Sequence, residues 1–179
     1  LLIDGRGPIE QLEYASPRND PAWDRVSLRF GDTSVSLRDQ RRLGSIELEP
    51  DEDRLGPDAE TLSTDTLAQI VASRRRPVKA VLLDQPLIAG IGNLLADESL
   101  WRAGLAPDLV SGELDVPEID RLTAAIRETI GLLTARGGSH TGDTFPHRVE
   151  GASCPECGGA MRSTTVGGRA SWWCSLHQR

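Results

Sequence analysis

The most constraining feature of the chain lies in its last 26 residues, where Cys154-Pro-Glu-Cys157 and Cys174-Ser-Leu-His177 form two ligand pairs. Each pair has two residues between its members, and sixteen residues separate the pairs. A segment of about thirty residues buries too little apolar surface to hold a fold by itself and needs a metal or cross-links. A two-residue spacing lets a tight turn aim both ligands at one ion, and sixteen residues let a hairpin bring back the second pair. Three sulfurs and one nitrogen would close a tetrahedral site around one structural zinc, with no open position for activating water. Gly158-Gly159 and Gly167-Gly168 supply the turns. The competing reading, a Cys154–Cys157 redox pair with Cys174 merely buried, has no preceding βαβ pattern and leaves His177 without a task. Three cysteines in all exclude a complete internal disulfide framework.

Charge argues at first against a nucleic-acid partner, because the net charge is −7. The imbalance is local. Between Ser45 and Asp65 eight acids face Arg54 alone, 1 − 8 = −7, so the rest of the chain is neutral. That remainder carries the run Arg74, Arg75, Arg76 and Lys79, and from Arg121 to Arg179 seven arginines stand against four acids. Nineteen of the twenty basic residues are Arg, which suits bidentate phosphate recognition and equally fits a base composition rich in Arg codons. No run approaches the roughly 18 apolar residues of a membrane span, and no targeting signal is visible from Leu1 onward. A membrane partner is not expected.

Hydrophobic periodicity divides the chain and predicts an α+β protein. Val26, Leu28 and Phe30 alternate with Ser27 and Arg29, followed by Gly31-Asp32, Val35 and Leu37. That is a hairpin with one buried face, and with Leu1–Ile3 and a strand at Ile46 and Leu48 it makes residues 1–50 a partial β-sandwich. Residues 51–62 read as an acidic linker. Residues 63–148 read as helical. Ser63 or Thr64 caps a helix bearing Leu67, Ile70 and Val71, and Pro77 precedes a short piece from Val78 to Asp84. Ala89-Gly90-Ile91-Gly92-Asn93 opens a helix ended by Gly104, and Pro117 starts a longer one with Ile119, Leu122, Ile126, Ile130 and Leu133 on one stripe, stopping at Gly137-Gly138. Residues 149–179 form the zinc-finger β-hairpin.

Two sites could hold phosphate. Asn93 stands at a helix mouth, where backbone N–H groups and the helix dipole favour an anion, or it is an ordinary turn with an Asn cap. Arg169 sits inside the loop closed by the metal, rigidly presented, or it is one more solvated surface Arg.

The segments Leu82-Leu83-Asp84-Gln85 and Ile88-Ala89-Gly90-Ile91-Gly92-Asn93-Leu94-Leu95-Ala96-Asp97-Glu98-Ser99-Leu100-Trp101-Arg102-Ala103-Gly104 resemble the helix–two-turn–helix element of the formamidopyrimidine-DNA glycosylase / endonuclease VIII family. Gly168-Arg169 ahead of Cys174, and Gln178 after the last ligand, resemble that family's zinc finger. Asp39-Gln40-Arg41-Arg42-Leu43-Gly44 is similar to its Asp-Pro-Arg-Arg-Phe-Gly segment, and Gly137-Gly138-Ser139 to its lesion-capping loop.

The resemblance implies base-excision repair of double-stranded DNA containing an oxidised base or an abasic site, in a cytoplasmic, nucleoid-associated bacterial setting, by a monomer. Asn93 and Arg169 would clamp the phosphates around an everted nucleotide, with Arg169 also tied to strand cleavage, and Lys79 and Arg74 would lie along the DNA path. Arg41 would fill the gap in the duplex and Leu43 would wedge into the stack, offsetting the cost of unstacking. The family's reaction removes the base and cleaves the abasic strand through a Schiff base on an N-terminal proline amine.

Three departures qualify this. The proline nucleophile, its glutamate partner, the β-domain lysine and the methionine wedge would precede Leu1, so this chain alone is expected to be inactive in Schiff-base chemistry. His177 replaces the usual fourth Cys, and Gln40 and Leu43 replace Pro and Phe. The leading expectation is a glycosylase and abasic-site lyase whose first segment lies outside the chain. The alternatives are a naturally truncated, non-catalytic binder of damaged DNA and a zinc-ribbon module for protein contacts, the latter leaving the helices unexplained.

Overall fold

The structure is a computed structural model that describes residues 20–38, 49 and 51–179 of the chain. It falls into two units, Leu1–Pro50 and Asp51–Arg179. In the first, β1 (Asp24–Phe30) pairs antiparallel with β2 (Thr33–Arg38) around Gly31, whose φ of 59° the turn requires. Leu28 faces Val35 and Val26 faces Leu37, so the alternation produces the expected apolar face. That face is not buried: Val26, Leu28 and Phe30 are 37%, 53% and 64% exposed. A two-stranded hairpin has no second layer of its own to cover it. The expected strands at Leu1–Ile3 and at Ile46 and Leu48, and the segment Asp39–Gly44 with Arg41 and Leu43, lie outside the described residues.

The second unit is built on four α-helices and a hairpin. α1 (Thr64–Ala72) is capped by Ser63, whose side chain accepts from the Thr66 N–H, and it buries Leu67 and Val71. α2 (Val78–Leu82) buries all five of its residues, and its first N–H groups donate to the carbonyls of Leu109 and Pro107 in place of a side-chain cap. α3 (Asn93–Ala103) ends at Gly104, which takes the left-handed conformation at φ 68°. α4 (Val116–Ala135) starts in a capping box between Asp115 and Glu118 and packs Ile119, Leu122 and Ile126 into the common core. Two residues of the expected acidic linker join this core: Ala59 and Leu62 are 1% exposed, and Arg127 of α4 donates to the Leu62 carbonyl. Small apolar residues among the acids make that packing available.

β3 (Met161–Val166) and β4 (Arg169–Cys174) form the C-terminal hairpin, joined by Gly167-Gly168 with φ of 58° and 72°. Two successive left-handed residues are what a two-residue hairpin turn of matching twist needs. A satellite core of Trp101, Cys154, Met161 and Cys174 seats this hairpin on α3. Among the described residues, no helix is long and apolar enough to cross a membrane.

Candidate nucleic-acid interface and metal centre

The mouth of α3 is shaped by Gln85. Its Oε1 accepts from Gly90 N at 3.0 Å and its Nε2 donates to the Ile91 carbonyl at 3.0 Å, bridging the turn through one amide. Gly90 adopts φ 92° and Gly92 occupies the N-cap position without a side-chain hydrogen bond, leaving Asn93 as the first helical residue. The expected Asn93 cap is therefore not formed. Its Oδ1 is buried with no hydrogen-bond partner among the described residues. A buried amide oxygen without a donor is costly, and of the two ends of this amide only the Nδ2 group could donate to a phosphate. The first N–H groups of α3 have no side-chain cap among the described residues.

Arg169 is the first residue of β4 and is exposed. Its guanidinium makes no hydrogen bond or ion pair with any described residue. The turn before it rests on α2, since a Cβ on Gly167 would stand 3.1 Å from Ala80 Cβ.

One buried carboxylate joins these two places. Asp97 lies one helical turn beyond Asn93 on α3. Its Oδ1 is 2.6 Å from Lys79 Nζ, its Oδ2 is 2.6 Å from Arg148 Nη1, and Oδ2 also accepts from Trp172 N of β4 at 3.3 Å. Lys79 Nζ spends its other protons on Ser171 Oγ at 2.6 Å and the Ala170 carbonyl at 2.9 Å. Lys79 thus does not lie on a surface facing DNA: it is 0% exposed, and burial pulls its pKa below the ordinary lysine value despite the pull of Asp97 the other way. Its part is to lock α2 and α3 to the two residues that follow Arg169. Arg74, just past the end of α1, is half-buried, and its guanidinium donates to the Ile70 carbonyl. Arg76 is paired with Asp84 at 2.7 Å.

The residues that follow Gly137-Gly138-Ser139, the segment expected to cap a lesion, are strapped down. Glu98 accepts from the backbone N–H groups of Asp143 and Thr144, both at 3.0 Å, and Arg136 donates to the Thr141 carbonyl at 3.1 Å. Asp143 is held below the usual carboxylate pKa by the Arg136 guanidinium, with Arg102 adding to the effect.

At the base of the hairpin the Sγ atoms of Cys154, Cys157 and Cys174 lie within 4.8 Å of one another. Gly158 turns the chain at φ 73° just after the first two, and a Cβ on Gly159 would come within 3.0 Å of Cys174 Sγ. Burial pushes the Cys154 thiol up, but the Trp101 indole N–H and the backbone N–H groups of Cys157 and Glu156 outweigh it and hold the pKa below the thiol norm. His177, expected as fourth ligand, is not in this cluster. Its Nε2 is 2.8 Å from the Trp101 carbonyl oxygen.

The formamidopyrimidine-DNA glycosylase H2TH domain family matches residues 55–144. A formamidopyrimidine-DNA glycosylase of Paracoccus denitrificans is 36% identical in an alignment that takes in all of this chain and 74% of that protein. The chain belongs to the formamidopyrimidine-DNA glycosylase family. The MutM (Fpg) structure from Thermus thermophilus superposes with a TM-score of 0.76 at 29% identity, covering 90% of this chain and 70% of that one. A MutM in complex with carbocyclic 8-oxo-G containing DNA gives 0.77 at 26% identity, covering 93% and 68%.

The three cysteines fit the zinc of a family zinc finger. Sγ of Cys157 and Cys174 are 3.6 Å apart, close to the ~3.8 Å edge of a tetrahedron with Zn–S bonds of ~2.3 Å. N–H groups of Trp101 and Gly159 point at sulfur, each at 3.4 Å, as they do toward thiolates. Sequence reasoning missed Gln85, Asp97 and Trp101 as working parts. One signal was present: Lys79 is the single Lys among nineteen Arg and sits in the apolar run Val78 to Leu83, where a charge has to find a buried partner.

Proposed function

We propose that this formamidopyrimidine-DNA glycosylase family chain grips double-stranded DNA at an oxidised base or abasic site, as the binding part of a base-excision repair enzyme. Asn93 and the N–H groups of the α3 mouth take one backbone phosphate, and Arg169 takes a neighbouring one in bidentate fashion. Phosphate contacts of this kind fix position and bend without reading sequence. Arg41 and Leu43 fill and wedge the space left by the everted nucleotide. In the family's reaction, removal of the base and cleavage of the abasic strand, Arg169 sits at the phosphate where the strand is cut. Cys154, Cys157, Cys174 and His177 hold one zinc, which supplies structural closure of the hairpin and no acid–base chemistry.

The observation that carries this reading is the Asp97 carboxylate. It ties the Asn93 helix to Lys79 at 2.6 Å and to Trp172 N at 3.3 Å, three residues beyond Arg169. Two phosphate-seeking groups on different elements are thereby held at a fixed separation, which is what recognition of a bent backbone requires.

The test is equilibrium binding to two duplexes of one sequence, one intact and one bearing a tetrahydrofuran abasic analogue. The chain is expected to favour the abasic duplex, and Asn93→Ala and Arg169→Ala each to lose about 1–2 kcal/mol of binding, roughly tenfold. Equal affinity for both duplexes, or full binding by both variants, would overturn the proposal.

A further inference from the structure

We infer that Trp101 is the positioning residue of the metal centre, gripping both arms of the site, so that His177 ligates the ion through Nδ1. The inference rests on the zinc reading above and goes beyond it in naming the ligating nitrogen and the residue that sets it.

The two contacts come from opposite ends of one residue. The indole Nε1–H donates to Cys154 Sγ at 3.4 Å, and the backbone carbonyl stands 2.8 Å from His177 Nε2, with the two rings 5.6 Å apart. A carbonyl oxygen only accepts, so the bond requires the proton on Nε2. The neutral tautomer then has its lone pair on Nδ1. That nitrogen is next to the backbone, and the backbone is held close to the cluster: His177 N donates to the Cys174 carbonyl at 3.2 Å. A metal-bound imidazole whose second nitrogen donates to a backbone carbonyl has its tautomer and ring plane fixed by that bond. Here the carbonyl belongs to the last turn of α3. His177 lies outside the cluster of three sulfurs in this structure, so ligation requires its ring to shift while keeping Nε2 on the carbonyl.

The chain beyond His177 is fastened to the same place. Gln178 is 2% exposed, donates from Nε2 to the Leu105 carbonyl at 2.8 Å and accepts from Cys174 N at 3.0 Å. Arg179 N donates to the Gly104 carbonyl at 3.0 Å. The fourth ligand is therefore carried on a strap whose register is set by the end of the helix that begins at Asn93. Metal closure and the placing of α3 against the hairpin become one event. The ligand set also leaves the centre at 2 − 3 = −1, one negative charge fewer than four thiolates would give, beside a surface meant for phosphates.

The test uses the full chain loaded with zinc and labelled with 15N-histidine, read by long-range 1H–15N correlation, with His177→Gln assigning its signals. The expected spectrum has His177 protonated at Nε2 and metal-shifted at Nδ1, and cadmium-113 in place of zinc splits Nδ1. Coordination through Nε2, or a His177 ring unchanged by chelation, overturns the inference while leaving three-thiolate zinc binding intact. Absence of stoichiometric zinc by metal analysis overturns the zinc reading itself, and the inference with it. Trp101→Phe keeps the carbonyl and removes the N–H. With circular dichroism confirming the fold, it is expected to release zinc to a chelator about tenfold faster and to shift the thiolate-to-cobalt band of the cobalt form, with the His177 tautomer unchanged. An unshifted band with release within about twofold of the parent would mean that the indole only packs, and would overturn its positioning role.

Discussion

Asp97→Asn removes the charge on which the second unit converges while keeping the side chain's shape. Its carboxylate faces Lys79, Arg148 and Trp172 N, and both Lys79 and Asp97 have side chains no more than 1% exposed. Neutralising it leaves the Lys79 ammonium buried without a counter-charge, a change that costs about 3–5 kcal/mol when one partner of a buried pair is removed. Lys79→Met is milder. Asp97 then keeps Arg148 and the Trp172 N–H, and only the neutral acceptors Ala170 O and Ser171 Oγ lose a donor, for about 1–3 kcal/mol. The double variant should cost less than the sum by about 1–3 kcal/mol, since the repelling pair is gone. For a unit of this size about 4 °C of melting temperature accompanies each kcal/mol, so Asp97→Asn should melt roughly 12–20 °C low. The assay is urea unfolding of the whole chain followed by tryptophan fluorescence, three of the four tryptophans lying beyond residue 51. An Asp97→Asn variant within about 1 kcal/mol of the parent, or a Lys79→Met variant costlier than it, would refute the convergent-charge account.

Other outcomes follow from the same geometry. Gly90→Ala should cost about 1–2 kcal/mol in thermal unfolding, from backbone strain at φ 92° and not from crowding, because the nearest atom to a new Cβ is Ala59 Cβ at 4.0 Å. Asp143 is depressed in the folded state by Arg136 and Arg102. Its stabilisation is therefore complete above the unfolded carboxylate value and is lost as pH falls through the lower folded value. Melting curves between about pH 5 and 2 should show that loss, and Asp143→Asn should flatten it. Chelation, or Cys157→Ser, should abolish the near-ultraviolet signal of Trp172 and Trp173 by opening the hairpin, whereas Arg169→Ala should leave it unchanged; the same loss in all three would merge roles we separate.

The helices were legible because their punctuation is local. Ser63, Asp115 with Glu118, and Gly104 act within four residues of the ends they set. The ligand spacing was legible for the same reason, since Cys154 and Cys157 close their own turn. What the sequence hid is long-range. Lys79 in a run of basic residues reads as one more phosphate contact until Asp97, eighteen positions on, is seen to neutralise it in the core. Gly137-Gly138-Ser139 reads as a lesion-capping loop, and nothing near it in the chain shows that Glu98, some forty positions earlier, holds the N–H groups that follow it. His177 reads as a ligand by spacing, yet its Nε2 is engaged by the carbonyl of Trp101, seventy-six residues away. Hydrophobic alternation in β1 was read correctly as a two-faced strand, but burial of one face needs a layer that a hairpin does not contain.

The central claim is that Arg169, set by the buried Asp97–Lys79 pair, grips a backbone phosphate. The most direct measurement is the salt dependence of abasic-duplex binding for the parent and for Arg169→Ala. The account expects the variant to lose about one unit of slope in log affinity against log salt, with the parent's preference over intact DNA reduced. Parallel lines of equal slope and intercept would contradict it.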